Sequence, residues 1–486
     1  MKVKTPQWIF IIGLFAVVVV AGIAVFITNG ATLFQGYLST NPIATIPNTS
    51  TRPVPVRYGL CYNADCNSKL PDYVIITRPL FLNTIQDFIK WKQDNGFKVG
   101  VLTVDYIHST LKKANPSQSI REKIKSMAAN NLIAKLGSVK YFLLIGDTTA
   151  TNSDSFPYNP QFMYDLNLGW NVPSGYYCRN DLMYKLKDYG QCVEVTDLYY
   201  ADFNDSDWTE NQDGYIMRGI YTYDHWYNGT QFNQYLPNQN DPNSLIHEPR
   251  ILKFNTIVAR IPIRDPAEFK NIFNKIKLYQ PATSLDMFEN ITLAETTADF
   301  NSQCSFQSVT LDALAEKVNN CANSNTAVRT LFKLKGYPVN WKIFDLKDPA
   351  QKTEVTNSVI NTTSILFALF HGSHGGIELG GNPPVYQYDL AANFKNIFPA
   401  WIVTSCSIGS YPFYNDDSFS ETMLKAAKGP AFVLQPTNNY WFFKESLEGK
   451  TVGEAFYNVG KTMVRYTSDS NILFGDPSLH ILGTTK

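Results

Sequence analysis

Apolar positions along this chain fall into two rhythms that take turns. Tyr73-Val-Ile-Ile76 is a short unbroken apolar run, which suits a strand covered on both faces. From Leu82 to Lys92 the period changes to that of a helix, with Ile85, Phe88 and Ile89 on one side. A second strand is expected at Val99–Val104, a helix from about Ser119 to Leu136, and a third strand at Tyr141–Ile145, ending in Gly146-Asp147. This is a βαβαβ half. Residues 150 to 250 are polar and aromatic with little periodicity and read as surface insertions. A strand at Phe254–Ile263 and a helix at Pro266–Tyr279 close this first lobe. The second half repeats the rhythm, with strands at 290–296, 341–346, 364–370, 400–405 and 431–435 separated by helical patterns. Strands alternating with helices predict an α/β fold: a largely parallel sheet flanked by helices, in two lobes. In such sheets ligands bind at the carboxyl ends of the strands.

The amino-terminal pattern is different. Residues 9–27 carry no charge and are rich in Val and Ile, and they follow Lys2 and Lys4. At ~1.5 Å per residue this stretch spans a bilayer core, so one transmembrane helix is expected, with its short basic side inside the cell. A cleaved signal sequence is the competing reading. The expected organisation is a cytoplasmic end at 1–8, an anchor at 9–28, and a spacer at 29–69. A first lobe at 70–284 and a second, catalytic lobe at 285–486 follow. Pro42, Pro47, Pro53 and Pro55 among Thr, Ser and Asn give the spacer an extended character. Glycosylation sequons at Asn48, Asn204, Asn228, Asn290 and Asn361 fit an extracellular domain on a single-pass anchor in the cell membrane.

Composition narrows the partner. Of 486 residues 44% are hydrophobic, as a globular protein requires. Lys plus Arg equal Asp plus Glu at 42 each, so no bulk positive field argues for nucleic acid. Six of the 7 cysteines form close-spaced couples, Cys61 with Cys66, Cys178 with Cys192 and Cys304 with Cys321, which suit an oxidising compartment, although other pairings are formally open. Cys406 is left over. It ends the apolar run Ala400-Trp-Ile-Val-Thr-Ser405, while the run 364–370 leads directly into His371-Gly-Ser-His374-Gly-Gly376, and Asp299 follows the strand at 290–296. A thiol, an imidazole and a carboxylate at one sheet edge make a nucleophile, a base and an orienting group. Gly372 and Gly375 let the backbone approach a substrate, so that an N–H there and that of Cys406 hold an oxyanion.

These residues resemble the gingipain family of cysteine peptidases, peptidase family C25, within the caspase-like clan. The likeness covers roughly residues 70–480. It includes Tyr141-Phe-Leu-Leu-Ile-Gly-Asp147, Val195-Thr-Asp-Leu-Tyr-Tyr200, Ala298-Asp-Phe300 and Phe474-Gly-Asp-Pro-Ser-Leu479. The resemblance implies a caspase-like sheet and a cysteine endopeptidase that works through a thioester acyl-enzyme. Cys406 then matches the nucleophile and His371 the base, with His374 as the alternative. Asp299 matches the third member, near Glu295, and Trp441 matches an aromatic wall of the substrate pocket. No acidic residue can be matched to a Lys or Arg preference at the cleavage site. Members of the family also include transpeptidases, and an inactive surface binding module is a further alternative.

Asp202, Asp205, Asp207 and Asp213 share one loop. The resemblance suggests calcium there as a structural ion, but the spacing is not that of an EF-hand, and a solvated acidic loop is the default reading. No cofactor is required by the expected chemistry. P-loop, dinucleotide-binding and paired zinc-ligand patterns do not occur, and His108, His225, His247 and His480 stand alone. The expected partners are protein or peptide substrates and, through residues 9–27, a membrane.

Overall fold

Among the described residues one ten-stranded sheet runs through both halves of the chain. The computed structural model describes residues 60–69, 71–133, 139–148, 166–173, 175–179, 191–203, 208–211, 214–217, 254–279, 292–295, 325–335, 349–361, 366–369, 371–373, 376–378, 385–404, 417–435, 439–460 and 472–481. The anchor and most of the spacer, together with the strand expected at 341–346, lie outside the described residues. Among the described residues no helix is long and apolar enough to cross a membrane.

The first half supplies β1 (Leu60–Tyr62), β2 (Tyr73–Thr77), β3 (Val99–Thr103), β4 (Tyr141–Ile145) and, after two hairpins, β9 (Ile257–Ile261). The hairpins are β5 (Gly175–Arg179) with β6 (Gln191–Thr196), and β7 (Trp208–Asn211) with β8 (Gly214–Met217). The second half supplies β10 (Thr292–Glu295), β11 (Leu366–Leu369), a small three-stranded sheet of β12 (His371–Ser373), β13 (Gly376–Glu378) and β14 (Val385–Tyr386), then β15 (Ile397–Thr404), β16 (Gly429–Gln435) and β17 (Ile472–Phe474). The large sheet has the order β1-β3-β2-β4-β9-β17-β16-β15-β11-β10. β2, β3, β4 and β9 are buried at every residue, because helices cover both faces; this is why they read as continuous apolar runs.

All neighbouring strands are parallel except β16 and β17. β17 follows the direction of β9, so β16, β15, β11 and β10 run opposite to the first half. One edge of the sheet therefore carries the carboxyl ends of these four strands beside the amino ends of β2, β4 and β9. The seam is tightly packed. Gly475, just after β17, has φ +127°, and a Cβ there would lie 2.6 Å from the Cβ of Phe432 in β16, so glycine is needed for both conformation and space.

Three features depart from the sequence expectation. The sheet begins at Leu60, inside the expected spacer. The short Leu-Cys-Tyr strand is held by the disulfide Cys61–Cys66, with Cα atoms 5.1 Å apart, and three residues are too few to show a period. β17, also three residues long, was not expected as a strand. Thirdly, residues 166–173 and 191–203 are not all surface insertion. Tyr199 and Tyr200 are buried, and the buried Arg260 of β9 makes a bidentate pair with Asp197 (Nε–Oδ2 and Nη2–Oδ1, both 2.7 Å). Its Nη1 donates to the carbonyls of Gly146 (2.9 Å) and Val172 (2.7 Å), which pins this segment to the sheet.

Helices close the faces where their apolar sides meet the strands. Pro at the first position starts Pro116–Ile133 and Pro266–Tyr279, where its missing N–H costs nothing. The helix Pro266–Tyr279 packs on β15 and β16. Its Lys275 is fully buried and donates from Nζ to the carbonyls of Leu424 (2.6 Å) and Ala426 (2.8 Å) at the end of the helix Phe419–Lys425. Burial pulls this ammonium down to about 7.

Candidate active site

Three strand ends stand level. In the parallel ladder Glu295 of β10 is paired with Leu369 of β11, and Leu369 with Thr404 of β15. Adjacent strands are ~4.8 Å apart, so Glu295, Leu369 and Thr404 stand side by side at one edge. His371 comes two residues after Leu369 and Cys406 two residues after Thr404, while Asp299 comes four after Glu295. The pedestal is rigid. Ala400, Trp401 and Ile402 of β15 are fully buried, and the indole of Trp401 packs edge-on against Phe394 (6.0 Å) and Phe419 (5.4 Å).

Of the expected catalytic residues, His371 and Gly372 have described backbone, in β12. His371 is paired with Glu378 and Gly372 with Ile377 across the small sheet, and Gly376 is paired in turn with Tyr386. Cys406, His374, Gly375 and Asp299 lie outside the described residues. Tyr386, in the edge strand β14 of the sheet that carries His371, and Tyr388, in the helix Gln387–Asn393 that follows it, are 53% and 49% exposed. Trp441 belongs to the helix Asn439–Leu447, which follows the carboxyl end of β16, on the edge where β11 and β15 also end. It is half-buried, edge-on to the buried Tyr440 (5.3 Å), with the Lys444 ammonium 5.4 Å above the ring.

The remaining expectations fall as follows. Cys178 stands opposite Cys192 in the β5–β6 ladder, the arrangement a cross-strand disulfide needs, whereas Cys304 and Cys321 are outside the described residues. In the acidic loop Asp202 is buried; Asp205, Asp207 and Asp213 are outside. His108 shares a 3.0 Å hydrogen bond with Ser119 and is structural.

A cluster that the sequence reading missed lies at the opposite edge. Asp147 follows β4 and Arg264 follows β9, and they meet at 2.6 Å (Nε–Oδ2). From the other half come Asp417, Glu421 and Lys425, with Lys425 at 2.7 Å from Asp417. Ser418-Phe-Ser-Glu421 is a capping box: the Ser418 N–H donates to Glu421 Oε2 (2.6 Å), and the Glu421 N–H donates to Ser418 Oγ (3.3 Å). That motif was the available signal. Carboxylate oxygens of Asp147, Asp417 and Glu421 lie within 4.8 Å of one another, but two side-chain cations already stand among them. Burial, and then the neighbouring Asp147 charge, push Glu421 well above the usual carboxyl range. Burial acts the same way on Asp147, but Arg264 and Lys425 outweigh it and hold that group below its ordinary value. Arg264 and Lys425 thus stand between acids contributed by both halves, with Glu268 also 3.8 Å from Lys425. The cluster clamps the two halves of the sheet together rather than offering a metal centre.

The model of peptidase family C25 matches residues 67–482. Among solved structures, the Arg-specific cysteine proteinase gingipain R (RgpB) is similar over 84% of this chain and 77% of that one, at 14% identity and a TM-score of 0.49. The complex of Porphyromonas gingivalis RgpB pro- and mature domains is similar over 84% and 79%, at 14% identity and a TM-score of 0.48. No curated protein sequence matches the chain.

Proposed function

This chain belongs to peptidase family C25 and is a cysteine-type endopeptidase, and on that premise we propose that Cys406 and His371 carry the reaction at an extracytoplasmic membrane surface. The observation that supports the assignment is the level register of β11 and β15, which starts the segments bearing the two residues from neighbouring points on one edge. The Cys406 thiolate attacks the peptide carbonyl. The imidazolium of His371 lowers the thiol pKa and protonates the leaving amine, and the neutral imidazole then activates the water that hydrolyses the thioester. N–H groups of Cys406 and of Gly372 or Gly375 hold the tetrahedral oxyanion, worth about 3 kcal/mol per donor. Asp299 orients the imidazole, and Trp441 forms one wall of the substrate pocket. His374 is the alternative base. Residues 9–27 hold the domain on the membrane, with the peptidase outside.

The test is cleavage of a diverse peptide library by the detergent-solubilised full chain, with Cys406→Ala as control and mild reductant and Ca²⁺ present. Cleavage lost in the variant is the expected result. Equal cleavage by wild type and variant would remove Cys406 from the mechanism, and no cleavage by folded wild type would favour a binding role.

A further inference from the structure

A cavity of about 930 Å³ opens where the amino ends of the first-half strands meet the turn after the helix Asn439–Leu447. Asp72, Lys98 and Lys140, which immediately precede β2, β3 and β4, supply one side, and Glu448, Lys450 and Glu454 supply the other. Because the two halves of the sheet run in opposite directions, this cavity lies on the same edge as the carboxyl ends of β11 and β15.

Its lining carries four lysines, Lys69, Lys98, Lys140 and Lys450, against the three carboxylates of Asp72, Glu448 and Glu454. The carboxylate of Glu454 pairs with Lys140 (2.8 Å) and also accepts the Thr451 N–H (2.9 Å). Glu448 pairs with Lys444 outside the cavity (2.8 Å), and Asp72 accepts the backbone N–H of Lys98 (2.8 Å). Glu448 and Glu454 are thus engaged by lysines, while Asp72 keeps its charge and feels the neighbouring Lys98. The ammonium groups of Lys98 and Lys450 make no ion pair within 4.0 Å among the described residues, and Lys69 has one exposed contact at 3.9 Å with Asp65. Phe97 and the largely buried Tyr141 also line the cavity.

The spacing fits an extended peptide. From β15 to β4 is four strand positions and to β2 five, or roughly 19–24 Å at ~4.8 Å per strand. About six or seven residues of extended chain cover that distance. Resting on the peptidase reading above, we infer that this cavity is an exosite that binds an acidic segment of the polypeptide substrate, about six or seven residues from the bond that is cut. An enzyme with no bulk charge would then select acidic substrates through one local patch, and the preference would weaken as salt rises.

Two measurements test this separately from catalysis. In the first, fluorescently labelled peptides bearing three consecutive acidic residues, and matched Ser/Gly peptides, are titrated into the full-length Cys406→Ala protein and into the same protein carrying Lys69→Gln, Lys98→Gln and Lys450→Gln. Tighter binding of the acidic peptide by about threefold to tenfold, lost in the triple variant and at high salt, is expected. Equal binding of acidic and neutral peptides, or binding unchanged by the triple variant, overturns the exosite whether or not the protein is a peptidase. In the second, the active chain cleaves peptides with the acidic triplet about six or seven residues to either side of the cut. A lower KM at unchanged kcat from one of the two sides, absent in the triple variant, supports the exosite, and no gain from either side rejects it. Retained cleavage of short neutral peptides by the triple variant keeps the two readings distinguishable.

Discussion

Replacing Lys275 by Met tests the electrostatics of the scaffold behind the candidate nucleophile. The side chain is fully buried, its Nζ faces two helix-terminal carbonyls, and among the described residues it has no carboxylate partner. Burial lowers its pKa from an ordinary 10.5 to about 7. At about 1.36 kcal/mol per pH unit of separation, keeping this lysine charged in the folded state costs on the order of 5 kcal/mol. The sign follows from proton counting. Between about pH 7 and 10.5 the unfolded chain holds a proton that the folded chain has released, so stability rises with pH through that window and is flat below it. Between about pH 7 and 9 this one group contributes a gain of about 2 kcal/mol. Lys275→Met keeps most of the volume but also leaves the Leu424 and Ala426 carbonyls without their donor, about 1–3 kcal/mol each. The readout is therefore the pH slope and not absolute stability. Urea denaturation followed by tryptophan fluorescence, from about pH 6.5 to 9.5, gives that slope for both proteins. A variant whose stability climbs with pH as steeply as wild type would refute the reasoning.

Three further outcomes are expected. His371→Ala should lower kcat/KM by about a thousandfold or more on the best library peptide, and His374→Ala by less than about tenfold; the reverse order in steady-state assays would move the base to His374. Glu421→Gln replaces the carboxyl and its proton by an amide that does not titrate. Wild type binds that proton more tightly when folded, so it loses stability as pH rises from 4.5 through the higher folded value, and thermal melts at pH 5 and pH 9 should show the variant gaining on wild type at the alkaline end. Gly475→Ala should destabilise by about 2–4 kcal/mol, read by urea denaturation, because its Cβ meets Phe432 at a φ that alanine disfavours.

Long-range electrostatics were invisible to the sequence in a way that strands were not. The runs at 141–145, 257–261 and 400–404 announce themselves because burial on both faces forces continuous apolar residues. The level ends of β11 and β15 were likewise foreseeable, since each run stops directly before its chemical residue. β17 was not, because Ile-Leu-Phe is too short to carry a period and its role depends on strands far away in sequence. Asp147 stood in the sequence only as the end of a strand and Glu421 drew no notice, for only folding brings a β4 end to the start of a helix from the other half. The reversal of strand direction at β16–β17 also escaped the pattern. It is a fact of pairing, and without it the 930 Å³ cavity could not be placed on the nucleophile's edge.

That reversal also bears on how the molecule is made. Among the described strands β17 comes last in the chain, yet it sits between β9 and β16 in the middle of the sheet. A ribosome delivers the first-half strands early and the nucleophile's strand later, but the piece that joins them emerges last. Until then each half presents an open central edge, a template for pairing with the wrong neighbour. The exit of Ile472–Phe474 is thus the step that converts two sticky half-sheets into one closed body, and nascent chains stalled before it should need a holding chaperone to stay soluble.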